Sequence, residues 1–202
     1  MWLLLAALVL GGMAAGAVWW RRRRADRPVT IERPVVAAND DPVTGDALKI
    51  ELTAIKLTRS FMNATLAYRV TLRNRSDRAL SDVSIAGELI GAHGSQPLEN
   101  QIASAEARLP ELHKLDRLAP GQARALEGTL TLPVQAITPI RQGSAALFVP
   151  LLRLVARAAG VEPLARTFVV GQPGTGMTGR LTPFRLDEPP RSYQPIGQRA
   201  LD

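Results

Sequence analysis

Residues Leu66-Ala-Tyr-Arg-Val-Thr-Leu-Arg-Asn74-Arg-Ser-Asp77 begin with eight positions that alternate between large apolar side chains and small or polar ones. Successive side chains of a β-strand point to opposite faces, so this spacing predicts a strand with one buried face. The face predicted to be buried carries Leu66, Tyr68, Val70 and Leu72, and the other face carries Ala67, Arg69, Thr71 and Arg73. The Asn-Arg-Ser-Asp sequence that follows is rich in turn-forming residues and ends the strand.

Similar alternation occurs on both sides of this strand. Residues 48–57 alternate with one change of phase, which predicts a bulge near Thr53–Ala54. The apolar run Ala145–Val155 is divided by Pro150, which predicts an edge position or a bulge there. Further strands are predicted at residues 80–89, 125–132 and 167–170. Short strands separated by Gly- and Pro-containing turns, without a long amphipathic helix, are typical of an all-β sandwich or an open barrel.

Two segments resemble bacterial immunoglobulin-like domains of the cell-adhesion-related type. Tyr68–Asp77 followed by Val83-Ser-Ile85 is similar to their "Y-x-V-x-L-x-N-x-S-D … V-x-I" hairpin. Leu118-Ala-Pro-Gly121 followed by Gly128–Pro133 is similar to their later "L-x-P-G … strand-P" segment. The resemblance implies an immunoglobulin-like antiparallel β-sandwich over residues 47–171, and it implies no particular activity.

Residues 172–202 are rich in Gly and Pro and are predicted to form a C-terminal tail with little regular structure. Its sparse large apolar residues are Leu181, Phe184, Leu186, Tyr193 and Ile196. We expect the tail to pack on the sandwich or to stay partly disordered, with Leu181–Asp187 as a candidate edge strand. The alternative is a segment that binds a partner protein.

The N-terminal residues 1–24 are predicted to form a transmembrane helix followed by a basic stop. Met1–Trp20 carries no charged side chain, and a membrane-spanning helix needs about 20 apolar residues. The predicted anchor and interface residues are Trp19, Trp20, Arg21, Arg22, Arg23 and Arg24. A cleaved signal peptide is the alternative, but the positively charged segment that precedes its apolar core is missing. The Pro-containing residues 25–46 are predicted to form a linker.

The charge distribution around the anchor predicts the orientation of the chain. Arg21–Arg24 follow the apolar run and no basic side chain precedes it, so the positive-inside rule favours a cytoplasmic over a periplasmic location for the domain. Basic residues upstream of Met1 would reverse this argument. Gly12 and Gly16 form a GxxxG pair and are candidates for helix dimerisation, although a chance match in a Gly- and Ala-rich span is the favoured interpretation.

The positive charge of the protein is concentrated next to the anchor. The net charge of the 202 residues is +7. Residues 21–33 carry six arginines against Asp26 and Glu32, which gives +4 and leaves +3 for the rest. A nucleic-acid-binding domain would need a basic stripe on its folded part, so no nucleic-acid partner is expected. The absence of cysteine excludes disulfides, thiolate metal sites and a cysteine nucleophile.

Few residues suggest enzyme chemistry. Gly174-Thr-Gly-Met-Thr-Gly179 matches the dinucleotide-binding pattern, but Pro183 follows where a helix would have to begin, so a turn is predicted. His93 and His113 are too few and too far apart for a zinc site. We therefore expect no cofactor and no enzymatic activity. The leading hypothesis is a membrane-anchored, non-enzymatic module that binds another membrane or membrane-proximal protein at the bacterial inner membrane. The alternative is an exported envelope module that binds a ligand or polysaccharide.

Overall fold

The computed structural model describes residues 47–174 and 180–201. These residues form thirteen strands and two short 3-10 helices, Leu98–Asn100 and Val134–Ala136. The strands are β1 Leu48–Arg59, β2 Asn63–Asn74, β3 Leu80–Gly91, β4 Glu111–Leu118, β5 Ala123–Pro133, β6 Ile140–Gln142, β7 Ala145–Phe148, β8 Pro150–Ala158, β9 Val161–Pro173, β10 Leu181–Thr182, β11 Phe184–Arg185, β12 Arg191–Tyr193 and β13 Gly197–Leu201.

The strands form two main sheets and one small sheet. The first sheet has the order β12-β1-β2-β5, and the second has the order β10-β9-β8-β3-β4, with β13 also pairing β9. The small third sheet has the order β11-β7-β6. The chain passes from the first sheet to the second after β2 and returns to the first after β4. Their pairings are antiparallel, and the prediction of an all-β antiparallel sandwich is confirmed.

Strand β2 lies between β1 and β5 in the first sheet, and one of its faces is buried, as its alternation predicts. Its inward side chains are fully or almost fully buried: Ala64, Leu66, Tyr68, Val70, Leu72 and Asn74. They pack against inward side chains of the second sheet in one continuous apolar core. A strand with one buried face keeps its register because a slip of one residue would turn every core side chain to solvent.

The predicted bulge in β1 is present. The register between β1 and β2 shifts between Ala54 and Lys56, so Ile55 is the extra residue. The shift returns Leu57 to the core face, where it is fully buried. On the side of β1 that faces away from β2, the Ala54 N–H donates to Oε1 of Gln198, a residue of β13, at 2.9 Å.

The expectation of an edge position or a bulge at Pro150 is wrong. Pro150 is the first residue of β8, and β8 lies between β3 and β9 in the interior of the second sheet. The first position of a strand tolerates proline because its missing N–H need not join the ladder. The run is continuously apolar because both faces of β8 are covered: Leu152 and Leu154 face the core, while Leu151 and Val155 are buried on the outer face.

The connection between β3 and β4, residues 92–110, supplies this outer cover. The guanidinium of Arg157 donates to the carbonyl oxygens of Ala105 and Ala107 at 3.0 and 2.8 Å. The Ala103 N–H donates to the hydroxyl of Thr167 in β9 at 2.7 Å. These contacts attach the connection to β8 and β9, so the middle of the second sheet is covered on both faces.

The C-terminal segment from Arg180 to Leu201 is part of the sandwich. Its four short strands pair with β9, β7, β1 and β9 in turn. Phe184, Tyr193 and Ile196 are buried in the core, and the Phe184 and Tyr193 rings meet edge to face with centroids 4.9 Å apart. The predicted tail begins at residue 172, whereas β9 continues to Pro173, so residue 172 belongs to a strand of the second sheet.

The predicted membrane anchor lies outside the described residues. This applies to the transmembrane helix at residues 1–24, to the linker at residues 25–46 and to Gly12, Gly16, Trp19, Trp20 and Arg21–Arg24. No helix within residues 47–174 or 180–201 has the length and apolar character needed to cross a bilayer.

Candidate functional site

The turn between β1 and β2 presents two large apolar side chains to solvent. Phe61 is 81% exposed and Met62 is 70% exposed, the highest values among the exposed large hydrophobic residues described. Single exposed apolar side chains are ordinary on protein surfaces, but adjacent ones at a protruding tip form a patch available for contact. We call Ser60–Asn63 the hairpin tip.

Hydrogen bonds fix the conformation of the hairpin tip. The Ser60 N–H donates to the Asn63 carbonyl oxygen at 2.8 Å. The Ser60 hydroxyl accepts hydrogen bonds from the N–H groups of Met62 and Asn63 at 3.2 and 2.9 Å. The Val134 N–H donates to the Met62 carbonyl oxygen at 2.8 Å. A backbone held in this way loses little further entropy when the tip meets a partner.

The hairpin tip borders a shallow apolar groove of about 400 Å³. Its lining residues are Phe61, Met62, Asn63, Pro133, Val134 and Gln135, none of which is charged. The nearest cation in sequence, Arg59, is buried, and its guanidinium donates to the carbonyl oxygen of Glu188. The groove and the tip therefore offer hydrophobic contact and backbone hydrogen bonds, and they carry no group suited to acid–base or nucleophilic chemistry.

Tyr68 and His113 form a polar bridge between the two sheets. The Tyr68 hydroxyl lies 3.1 Å from Nε2 of His113, and the rings meet edge to face with centroids 6.0 Å apart. Burial raises the pKa of Tyr68 and lowers the pKa of His113. Gly128 leaves the room that this hydroxyl needs, because a Cβ there would lie 2.6 Å from it. No sequence pattern identified this pair, since its residues are 45 positions apart.

Asn74 explains the Asn-x-Ser element of the hairpin motif. Its side chain is fully buried, and Nδ2 donates to the carbonyl oxygens of Arg78, Leu118 and Ala119 at 2.7, 3.1 and 3.1 Å. Oδ1 accepts from the N–H and the hydroxyl of Ser76 at 2.9 and 2.6 Å. The residue joins the end of β2 to the end of β4, which is a structural role.

An ionic cluster lies within the C-terminal segment, between β11 and β12. Arg185 pairs with Asp187 at 2.5 Å, and Glu188 pairs with Arg191 at 3.3 Å. The guanidinium of Arg191 also lies over the Tyr193 ring, 4.6 Å from its centroid. The hydrogen bond from Arg185 lowers the pKa of Asp187 to about 2. Every carboxylate in this cluster is paired with arginine, so the cluster lacks a free acid or base.

The residues considered for cofactor or metal chemistry do not assemble into a site. The Gly174 N–H donates to the Arg180 carbonyl oxygen at 2.9 Å, and β10 begins at Leu181, so the Gly-rich match closes a hairpin between two strands. His93 contacts Ser95 and Gln101 in the β3–β4 connection, far in sequence from His113. In residues 47–174 and 180–201, no group of three or more His, Asp and Glu side chains is placed to hold a metal ion.

Comparison with known proteins identifies no family. No protein-family model and no curated protein matches the chain. Among solved structures, the chain is similar to a calcium-binding mutant of Bacteroides uniformis beta-glucuronidase 2, with a TM-score of 0.31 and 14% identity. The match covers 64% of this chain and 14% of that chain. At this level of similarity it carries no functional inference.

Proposed function

We propose that the protein is a single-pass, membrane-anchored, non-enzymatic module of the bacterial inner membrane whose immunoglobulin-like sandwich binds another membrane-proximal protein through the hairpin tip. The observation that carries the proposal is the exposure of Phe61 and Met62 on a turn whose backbone is fixed by hydrogen bonds. Exposed apolar anchors on a preorganised backbone are the features that give protein interfaces most of their binding energy.

The strand order supports the immunoglobulin-like part of the proposal. Strands β1, β2 and β5 are neighbours in one sheet, and β3, β4, β8 and β9 are neighbours in the other. The chain changes sheets between β2 and β3 and again between β4 and β5, as the strands of Greek-key sandwiches do. Residues Tyr68–Asp77, which carry the sequence resemblance, lie at the first of these changes.

The charge of the tip favours a protein over a lipid surface as its partner. Peripheral binding to anionic lipid uses clusters of Lys and Arg beside the inserted apolar residues. The groove lining is uncharged, and Arg59 is turned into the protein. In addition, Ala47 and the tip lie at opposite ends of β1, which places them roughly 40 Å apart at the usual rise of an extended strand. The predicted anchor at residues 1–24 supplies the membrane contact instead.

The tip can be tested by removing its apolar groups in the full chain. The double variant Phe61→Ser with Met62→Ser is compared with Leu98→Ser combined with Ile102→Ser, which alters two other exposed apolar residues. After mild detergent extraction from the cells that normally express the protein, wild type and control variant should retain the same partner protein. The tip variant should lose it. Equal recovery with all three chains would contradict the proposal.

The orientation of the domain needs a separate experiment. The arginines after the apolar run support a cytoplasmic domain, so a reporter enzyme that is active only in the periplasm, fused after Asp202, should stay inactive. A cytoplasm-active reporter at the same position should be active. Periplasmic activity would overturn this orientation and favour an exported envelope module that binds a ligand or polysaccharide.

A further inference from the structure

The first sheet ends in a long strand with an open edge. Strand β5 pairs with β2 over its whole length, from Arg73 opposite Ala123 to Asn63 opposite Pro133. Its other side pairs with no strand within the described ranges. Unpaired N–H and C=O groups on such an edge can accept the backbone of another chain as an additional strand.

Two hydrogen bonds establish which residues face this open edge. The Asn74 N–H donates to the Gln122 carbonyl oxygen, and the Val134 N–H donates to the Met62 carbonyl oxygen. These bonds bracket a ladder without a register shift. Because hydrogen-bonded and non-hydrogen-bonded pairs alternate in antiparallel ladders, the even-numbered residues of β5 bond to β2. The odd-numbered residues direct their N–H and C=O groups outward: Ala125, Glu127, Thr129 and Thr131.

The exposed edges differ in how they are protected by charge. Strand β4, at the edge of the second sheet, carries Glu111, Lys114, Asp116 and Arg117. The first half of β1 carries the ion pair of Lys49 with Glu51. Charged side chains of this kind discourage pairing with other chains. On β5 the charges end at Glu127, and Gly128–Leu132 is uncharged. This unprotected half runs directly into Pro133 and the groove beside the hairpin tip.

The side chains of β5 indicate what an added strand would need. Leu126 and Leu130 point inward and are only partly buried, so apolar side chains opposite them would complete their cover. Thr129 and Thr131 are exposed on the outer face and match polar or β-branched side chains. Arg124 is exposed on the inward-facing set, and a carboxylate directly opposite it would form a cross-strand ion pair.

We propose that β5 accepts an extended, antiparallel segment of the partner protein. Opposite Gly128–Leu132, this segment has uncharged residues that are alternately apolar and polar. Four residues after the one opposite Gly128, it has a carboxylate that lies opposite Arg124. This inference rests on the proposed function and specifies the partner's chemistry next to the hairpin tip. Backbone hydrogen bonds supply affinity, and the alternating side chains and the carboxylate supply specificity.

A second copy of this chain fits the edge less well. Residues directly opposite each other in an antiparallel pair share a face, so Arg124 would meet an even-numbered residue of the other β5. Those residues include no acid, because Glu127 lies on the other face and bonds Arg69.

The test uses the full chain in detergent micelles and a fluorescent peptide of Val-Thr repeats that ends in Glu. Fluorescence anisotropy should show saturable binding. N-methylation of alternate amides, which removes backbone donors and keeps the side chains, should weaken binding about tenfold or more, equivalent to roughly 1.4 kcal/mol. Replacing the peptide's Glu by Lys should weaken it several-fold. Failure of the parent peptide to saturate, or equal binding of the N-methylated peptide, would overturn the proposal.

Variants of the protein locate the binding edge. Thr129→Pro removes an outward N–H without breaking the ladder with β2, so the protein should fold, as circular dichroism can verify, and should lose binding about tenfold or more. Thr129→Lys should act in the same direction. Thr53→Lys adds the same charge to an exposed position of β1 and should bind as wild type does. If both Thr129 variants bind the peptide as tightly as wild type does, the proposal of strand addition at β5 is wrong. This holds even if the partner still requires Phe61 and Met62.

Discussion

The two sides of the sandwich are held together by different chemistry. On one side the C-terminal segment covers the ends of β1 and β9 and places Phe184 and Tyr193 in the core. On the other side β4 and β5 are edges, and the sheets are joined there by buried polar groups, Asn74 and the Tyr68–His113 pair. The covered side is closed by apolar packing, whereas the side with polar bridges leaves one edge of β5 without a neighbouring strand in the described part of the chain.

Removing the central aromatic of the covered side should have the largest effect. Phe184 is fully buried between Phe148 and Tyr193. Phe184→Ala should lower the free energy of unfolding by about 3–5 kcal/mol through lost burial and the cavity left behind. Denaturant unfolding measures this, and Phe184→Leu should lose clearly less. A loss below about 1 kcal/mol for the Ala variant would contradict the assignment of this segment to the core.

On the open side, Asn74→Ala should cost about 3 kcal/mol, because the buried amide no longer donates to three backbone carbonyl oxygens. Of these three oxygens, that of Arg78 also accepts from the Ser76 hydroxyl. The same unfolding measurement on Asn63→Ala, at the partly exposed start of β2, provides the control and should show a change below about 0.5 kcal/mol. Similar costs for the two variants would show that Asn74 does not join β2 to β4 in the way described.

Gly128→Ala tests the bridge between the sheets. The added Cβ would lie 2.6 Å from the Tyr68 hydroxyl, so the ring must move away from His113, at a cost of about 1–3 kcal/mol. At Gly91 the nearest atoms to an added Cβ are 3.5 Å away, so Gly91→Ala should cost less. The two unfolding free energies give the comparison, and an equal cost would argue against close packing at Gly128.

The bridge should also make stability depend on pH. Burial lowers the pKa of His113 in the folded state, so the unfolded chain takes up a proton first as the pH falls. The stability contributed by neutral His113 is therefore present above the ordinary histidine pKa of about 6.5, and it is lost as the pH falls from there through the lower pKa of the folded state. Thermal unfolding between about pH 8 and pH 5 should show a weaker slope for His113→Gln than for wild type. Equal slopes for the two chains would contradict the burial of His113 beside Tyr68.

The hairpin tip should show the smallest effect on stability. Phe61→Ser with Met62→Ser removes side chains that are mostly in solvent, so the free energy of unfolding should change by less than about 0.5 kcal/mol. Denaturant unfolding of the double variant is the measurement. A much larger loss would mean that these two side chains stabilise the fold, and it would remove the basis for assigning the tip to binding.

Regular alternation allowed the sequence to predict β1, β2 and β5 of the first sheet and part of the second sheet. The sequence predicts the strand at Leu66–Leu72 and the phase change before Leu57, because side-chain burial has a period of two in a strand with one buried face. The interior position of Pro150 was missed because its strand is covered on both faces and loses that period. The strands of the C-terminal segment have two to five residues, which is too short for a period to be recognised.

The candidate site was less predictable than the fold. Ser60-Phe-Met-Asn63 contains no motif, and two apolar residues in a turn are as compatible with burial as with exposure. Their exposure depends on the direction in which the β1–β2 hairpin leaves the sandwich. Tyr68 and His113 meet through the pairing of distant strands, which a single sequence does not encode as a local pattern.

The central claim is that the hairpin tip contacts a partner protein, and photo-crosslinking at position 61 tests it most directly. A photoreactive phenylalanine analogue replaces Phe61 in the full chain, and a second chain carries it at Pro120, in the exposed β4–β5 turn near the other end of the sandwich. In intact cells, position 61 should give one discrete protein adduct that is absent for position 120. Lipid adducts alone, or the same adducts from both positions, would contradict the account.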